Sequence, residues 1–133
     1  MTSDMLIRYR AVFMGGAGLV CLCYGVLALI TGQPDPIWRF FPGLAGIGAT
    51  VVIFTLFSKA TEGSRRQAMD EVYRMENGQA LAIGFWTAIL CYPVFAPFLA
   101  WGWVAYPVAY AAMGTLTAAA YLISFAIVSL RGV

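Results

Sequence analysis

Four stretches of this chain carry no formal charge, and each is about as long as a bilayer's hydrocarbon core is thick. They run from Ala11 to Ile30, from about Phe41 to Phe57, from Ala80 to about Trp101 and from Ala105 to Leu130. A helix needs about 20 apolar residues to cross ~30 Å of hydrocarbon. Continuous apolar runs without strict alternation do not suit a lipid-facing barrel, and helices satisfy every backbone group internally. Composition agrees: 62% of the residues are hydrophobic and 11% charged, against a usual charged share of about a quarter. The chain therefore reads as an all-α membrane protein. Residues 1–133 are expected to form a single domain of four transmembrane helices arranged as two hairpins.

Arg8 and Arg10 ahead of the first stretch give it the look of a secretory leader. Its apolar length exceeds the ~7–15 residues of a leader core, and no small-x-small cleavage pattern follows, so it reads as a retained anchor. Threading follows from the basic residues, which collect in cytoplasmic loops. Arg8 and Arg10 precede the first span, Lys59, Arg65, Arg66 and Arg74 lie between the second and third, and Arg131 follows the fourth; Arg39 alone lies in the remaining connections. That bias places both termini and the segment 59–79 in the cytoplasm, which requires an even number of crossings. Trp38, Trp101 and Trp103 fall at the two external turns with Phe40, Phe41 and Tyr106, where amphipathic rings settle at headgroup level. Trp86 lies inside the third span and is a candidate for packing between helices.

The densest charge runs from Arg65 to Gln79. Gly63 is suited to end the second helix, because a left-handed residue there carries no side-chain penalty. Ser64 opens a new helix with Gln67 at capping-box spacing. Arg66, Asp70 and Arg74 follow at steps of four and can pair along one face, while Met69, Val72 and Tyr73 form an apolar stripe. The pattern predicts a helical linker that enters the third span without a break through Glu76, Asn77 and Gln79. Arg66, Asp70, Glu71 and Arg74 are its candidate partner contacts; the alternative is a solvated, self-neutralising extension that fixes topology. Asp70 and Glu71 are adjacent, roughly 100° apart on a helix, and do not converge as a catalytic pair. Asp70-Glu71-x-x-Arg74 followed by Ala80-Leu-Ala-Ile-Gly-Phe85 resembles an acidic-basic signature ahead of a span in small uncharacterised bacterial inner-membrane proteins. The resemblance implies a bacterial inner-membrane location.

None of the four stretches contains Asp, Glu, Lys, Arg or His, and histidine is missing throughout. Ion and proton paths normally place ionisable groups at membrane depth. Small multidrug transporters have four spans in a chain of similar size, but carry a Glu in the first span where this chain has none. Without imidazole, haem ligation by histidine and the commonest zinc sites are excluded. Cys21 and Cys23 point to different sides of a helix, no Cys-x-x-Cys exists, and the thiols read as small hydrophobes; a Cys21–Cys91 or Cys23–Cys91 pairing is the alternative. Small residues recur at helical steps in Ala17-Cys21-Gly25, in Gly43-Gly46-Thr50 and in Ala111-Thr115-Ala119, giving thin faces on which backbones approach closely. Packing within the chain is the first reading of these faces, and assembly with other subunits the second. Gly43-Leu-Ala-Gly46-Ile-Gly48 lacks the strand and lysine of a phosphate loop.

Pro93 and Pro97 each remove a backbone donor, which predicts a kink in the third span. With Trp38, Arg39, Tyr92, Trp101 and Trp103, the freed carbonyls outline a candidate lipid or quinone contact. Trp38-x-x-Phe41-Pro42 recurs as Trp103-x-x-Tyr106-Pro107, and Cys23-Tyr24 as Cys91-Tyr92. Two related hairpins or convergent interface chemistry account for this equally. The functional expectation is a non-catalytic accessory or scaffolding subunit of a larger inner-membrane complex, with membrane lipids and integral membrane subunits as partners. No nucleic-acid partner, metal or cofactor is expected, apart from the lipid or quinone contact. The alternative is a small oligomeric transporter or channel for a neutral or lipophilic solute, suggested by the hydroxyls of Thr50, Thr55, Thr87, Thr115 and Thr117. An enzyme ranks last, because the apolar stretches offer no general base.

Overall fold

Residues 2 to 131 are described in a computed structural model, and every regular element among them is a helix. In chain order these are α1 (Ser3–Thr31), α2 (Phe41–Lys59), α3 (Glu62–Ala68), α4 (Glu71–Ala100) and α5 (Tyr106–Arg131). All but the short α3 are long and apolar enough to cross a membrane, which makes this a multi-pass membrane protein. The turns between them follow local chemistry. Gly32 ends α1 at φ 66° and Gly102 sits between α4 and α5 at φ 71°, a left-handed backbone that glycine adopts without strain. Pro42 stands in the first turn of α2, where a missing amide donor costs nothing.

Two helices outrun their apolar stretches. At 1.5 Å per residue, α1 with 29 residues and α4 with 30 are about 44 and 45 Å long, against ~30 Å of hydrocarbon. α1 starts at Ser3 rather than Ala11, and α4 at Glu71 rather than Ala80, so both carry polar residues as helix. The predicted helical linker over 59–79 is interrupted instead of continuous, since Met69 and Asp70 separate α3 from α4.

The bundle is asymmetric. α1 packs most extensively against α5, α5 also against α4, and α2 against α1, whereas α2 meets α4 and α5 marginally at most. The α1–α5 seam is close because its facing residues are small. A Cβ on Gly18 would lie 2.8 Å from Ile123 Cγ1 and 2.9 Å from Leu122 Cβ, and one on Gly25 would lie 2.6 Å from Thr115 Oγ1. Ala17, Cys21 and Gly25 are all buried. Cys91 and Phe95 of α4 close over Ala109 and Ala112 of α5 to form a second apolar core.

α2 departs from expectation. None of its residues is buried, and a Cβ on Gly43 or Gly46 would meet no atom within 4 Å. The thin face through Gly43, Gly46 and Thr50 therefore does not pack within the chain. Nor does the recurrence of motifs extend to packing, because the α2–α4 counterpart of the α1–α5 seam is marginal at most. Trp86 also leaves its expected place between helices: it is 60% exposed, edge-on to Phe85. α4 remains helical through Pro93 and Pro97.

Candidate functional site

The charged stretch folds as an elbow whose caps differ from the predicted ones. Thr61, not Ser64, caps α3, its hydroxyl oxygen accepting from the Ser64 amide at 3.4 Å. Gly63 lies inside α3 with no positive φ, and α2 ends at Lys59. Asp70 caps α4: its Oδ1 accepts from the amides of Val72 at 3.0 Å and Tyr73 at 3.3 Å. A carboxylate committed to the first turn of a helix satisfies its free donors and favours the dipole. The Arg66–Asp70–Arg74 ladder is therefore not formed, and Arg66 pairs with Glu62 at 2.6 Å along α3. Met69 and Val72 of the expected apolar stripe are half exposed, while Tyr73 turns inward.

What fastens the elbow is Arg10, on α1. It is 5% exposed, and its Nη1 donates to the Ala68 carbonyl at 2.9 Å. That carbonyl ends α3, where helices leave acceptors unsatisfied and favour a cation. The guanidinium also lies 4.4 Å from the Tyr73 ring centre and 5.2 Å from that of Phe125, an arrangement for cation–π attraction. One turn along α4, buried Glu76 accepts from the Ser129 hydroxyl at 2.7 Å, and Asn77 Oδ1 accepts from the Tyr121 hydroxyl at 2.8 Å. Groups from α1, α3, α4 and α5 thus meet at one end of the bundle.

Arg10 and Glu76 lie just outside the uncharged stretches, yet both are buried. Arg10 stands 21 residues, about 32 Å, from the far end of α1, and Glu76 24 residues, about 36 Å, from the far end of α4. Both reach the edge of ~30 Å of hydrocarbon, where charge costs far less than at the midplane. Their signal was periodicity: Arg10 continues the buried series Leu6, Ala17, Cys21, Tyr24 and Ala28, and Glu76 the series Ala80, Gly84, Cys91 and Phe95. Charge read only as a marker of topology concealed it.

Beside the cluster, α1 and α2 diverge around a groove of about 840 Å³. Its walls include Met14, Gly46, Thr50 and Phe54; one end is bounded by Arg10 and Arg65, and among the described residues no acidic one lines it. The expected lipid or quinone contact lay at the opposite end. There Tyr92 is 67% exposed, the rings of Trp101 and Trp103 meet at a tilt of 47° with centres 5.2 Å apart, and Arg39 pairs with Asp35 at 3.2 Å. Pro93 and Trp38 are exposed and Pro97 is half-buried, and none of these residues lines the groove.

The other candidates are placed as follows. Arg66, Asp70, Glu71 and Arg74 are exposed on the elbow, Gly25 is buried against Thr115 and Leu116 of α5, and Ala17, itself buried, lines the groove with Gly43 and Gly46. All three cysteines are free. The hydroxyls of Thr50, Thr55, Thr87 and Thr115 donate to carbonyls four residues back, at 2.6–2.8 Å. Their donors are committed to their own helices, which leaves less to line a polar path. Among the described residues no three His, Cys, Asp or Glu side chains gather as ligands for a metal. No family model, curated protein or solved structure matches the chain.

Proposed function

We propose that this protein is a non-catalytic accessory subunit of a larger complex in a bacterial inner membrane. It crosses four times as two hairpins, with both termini and the elbow in the cytoplasm. The elbow carries the proposal. A linker that only returned the chain and kept its charge inside would not have to be fastened. Here α3 is tied through the Ala68 carbonyl to Arg10, and α4 is capped by Asp70. Arg66, Glu71 and Arg74 consequently stand on a preformed charged surface. Preformed surfaces lose less conformational freedom on association. The unburied α2 offers a second contact within the membrane, its thin helix faces suited to close approach. The signature from Asp70 to Phe85 supports the bacterial location. Membrane lipids and integral membrane subunits are its partners.

Purification of the tagged chain in mild detergent tests this reading. Stoichiometric membrane subunits are expected, and they should be lost from the double variant Arg66→Glu, Arg74→Glu while its helical content is kept. A chain that runs alone as a homo-oligomer overturns the proposal. Reporters fused after Val133 and within Gln33–Asp35 should lie on opposite sides of the membrane.

A further inference from the structure

We infer that the groove between α1 and α2 is a site for one anionic phospholipid, its phosphate held by Arg10 and Arg65 and an acyl chain laid along α2. Three observations converge. First, the groove is apolar over most of its length and cationic at one end, with no acidic residue lining it among those described. That is the charge pattern of an amphiphile with an anionic head. Second, the cationic end stands at the right depth. Arg10 lies about 32 Å from the far end of α1, the level at which lipid phosphates border the hydrocarbon. From Phe57 to Gly43 the lining runs 14 residues along α2, about 21 Å, which exceeds half of a ~30 Å hydrocarbon core. Third, the arginines have binding capacity to spare. Arg10 is buried and its Nε has no hydrogen-bond partner among the described residues. Arg65 is exposed and forms no ion pair among them.

Arg10 is not without counter-charge, since Glu76 and Asp70 act on it electrostatically. Neither forms an ion pair with it among the described residues, however, and Glu76 Oε2 is engaged by Ser129. Arg65 supplies the further positive charge. Basic pockets between transmembrane helices are where anionic headgroups are retained, with each nearby Lys or Arg contributing roughly a fivefold preference. The occupant also explains why α2 stands off. An acyl chain against Gly46 and Thr50 fills space left open by the described residues. The assignment holds whichever face of the membrane the elbow occupies.

Native mass spectrometry of the full chain, released from detergent after titration with phosphatidylglycerol or phosphatidylcholine, tests it. The wild type should retain one phosphatidylglycerol at least about tenfold in preference to phosphatidylcholine. Arg65→Gln, an exposed change that spares the core, should lose about fivefold of that preference. Gly46→Phe should abolish retention with the unfolding midpoint kept, because a Cβ there meets no atom within 4 Å and the ring is added on the groove wall. Equal retention of the two lipids, or retention undiminished in Gly46→Phe, overturns the assignment. So does a homodimer, or a stoichiometric protein, that cross-links through position 46. The site and the accessory role fail separately: the elbow double variant should shed partner subunits and keep its lipid, so loss of both together, or of neither, distinguishes the failure of one reading from that of the other.

Discussion

Gly18→Ala probes the closest seam of the bundle with a single methyl group. The new Cβ would lie 2.8 Å from Ile123 Cγ1, 2.9 Å from Leu122 Cβ and 3.1 Å from the Ile123 backbone nitrogen. Carbon atoms are at ease at about 3.5–4.0 Å, so the shortfall is roughly 0.7 Å or more. Rotating Ile123 relieves only the first contact. The backbone nitrogen and the Leu122 Cβ cannot turn away, and α1 must move from α5. Overpacking of this kind costs about 1–3 kcal/mol. Alanine also gains about 0.5–1 kcal/mol over glycine inside a helix, which blurs the reading of one variant alone. Gly46→Ala removes that ambiguity, because its Cβ meets nothing within 4 Å. The helix term is common to both changes and cancels in their difference, leaving about 1–3 kcal/mol for the clash. Unfolding by sodium dodecyl sulfate in mixed micelles, followed by circular dichroism, measures it. Gly46→Ala should match or exceed the wild type, and Gly18→Ala should fall below Gly46→Ala by that margin. Equal midpoints for the two would refute a close α1–α5 seam.

Two further substitutions test the elbow. Asp70→Ala should cost about 1 kcal/mol and Asp70→Asn little, since either Asp or Asn caps a helix; raised salt should leave this pattern unchanged, whereas an exposed Arg66–Asp70–Arg74 ladder would lose its contribution to salt and to Asn alike. Arg10→Met removes a charged hydrogen bond of about 1.5–3 kcal/mol together with the stacking on Tyr73 and Phe125. Amide exchange should then quicken across α3 and stay unchanged in the centres of α1 and α5, and unaltered protection of α3 would show that Arg10 does not hold it.

Four helices long and apolar enough to cross a membrane follow from the sequence alone, because a bilayer enforces one rule along the whole chain: an uncharged run that crosses it must satisfy its backbone as a helix. Pro42 in the first turn of α2 is legible as well, because a proline there is a purely local signal. The caps of the elbow mark where local reading fails. Ser64 and Gln67 have the spacing of a capping box, yet Thr61 caps α3 and Asp70 caps α4. Several residues of similar chemistry compete within ten positions, and the winner depends on where Arg10, 58 residues away from Ala68, anchors the end of α3.

Helix partnership was likewise beyond the sequence. Ala17-Cys21-Gly25 and Gly43-Gly46-Thr50 are thin faces of the same kind, but the first is buried, with Gly25 against α5, and the second is unburied and lines an open groove. Spacing states that a backbone can be approached closely; only the fold states whether another backbone arrives. Arg10 and Glu76 carry the same lesson for charge. Their type and their place at the edge of apolar runs are read directly from the chain, while their burial comes from helices that start ahead of the uncharged stretches and meet there. A local propensity is a property of a few neighbouring residues, and burial is a property of everything packed around them.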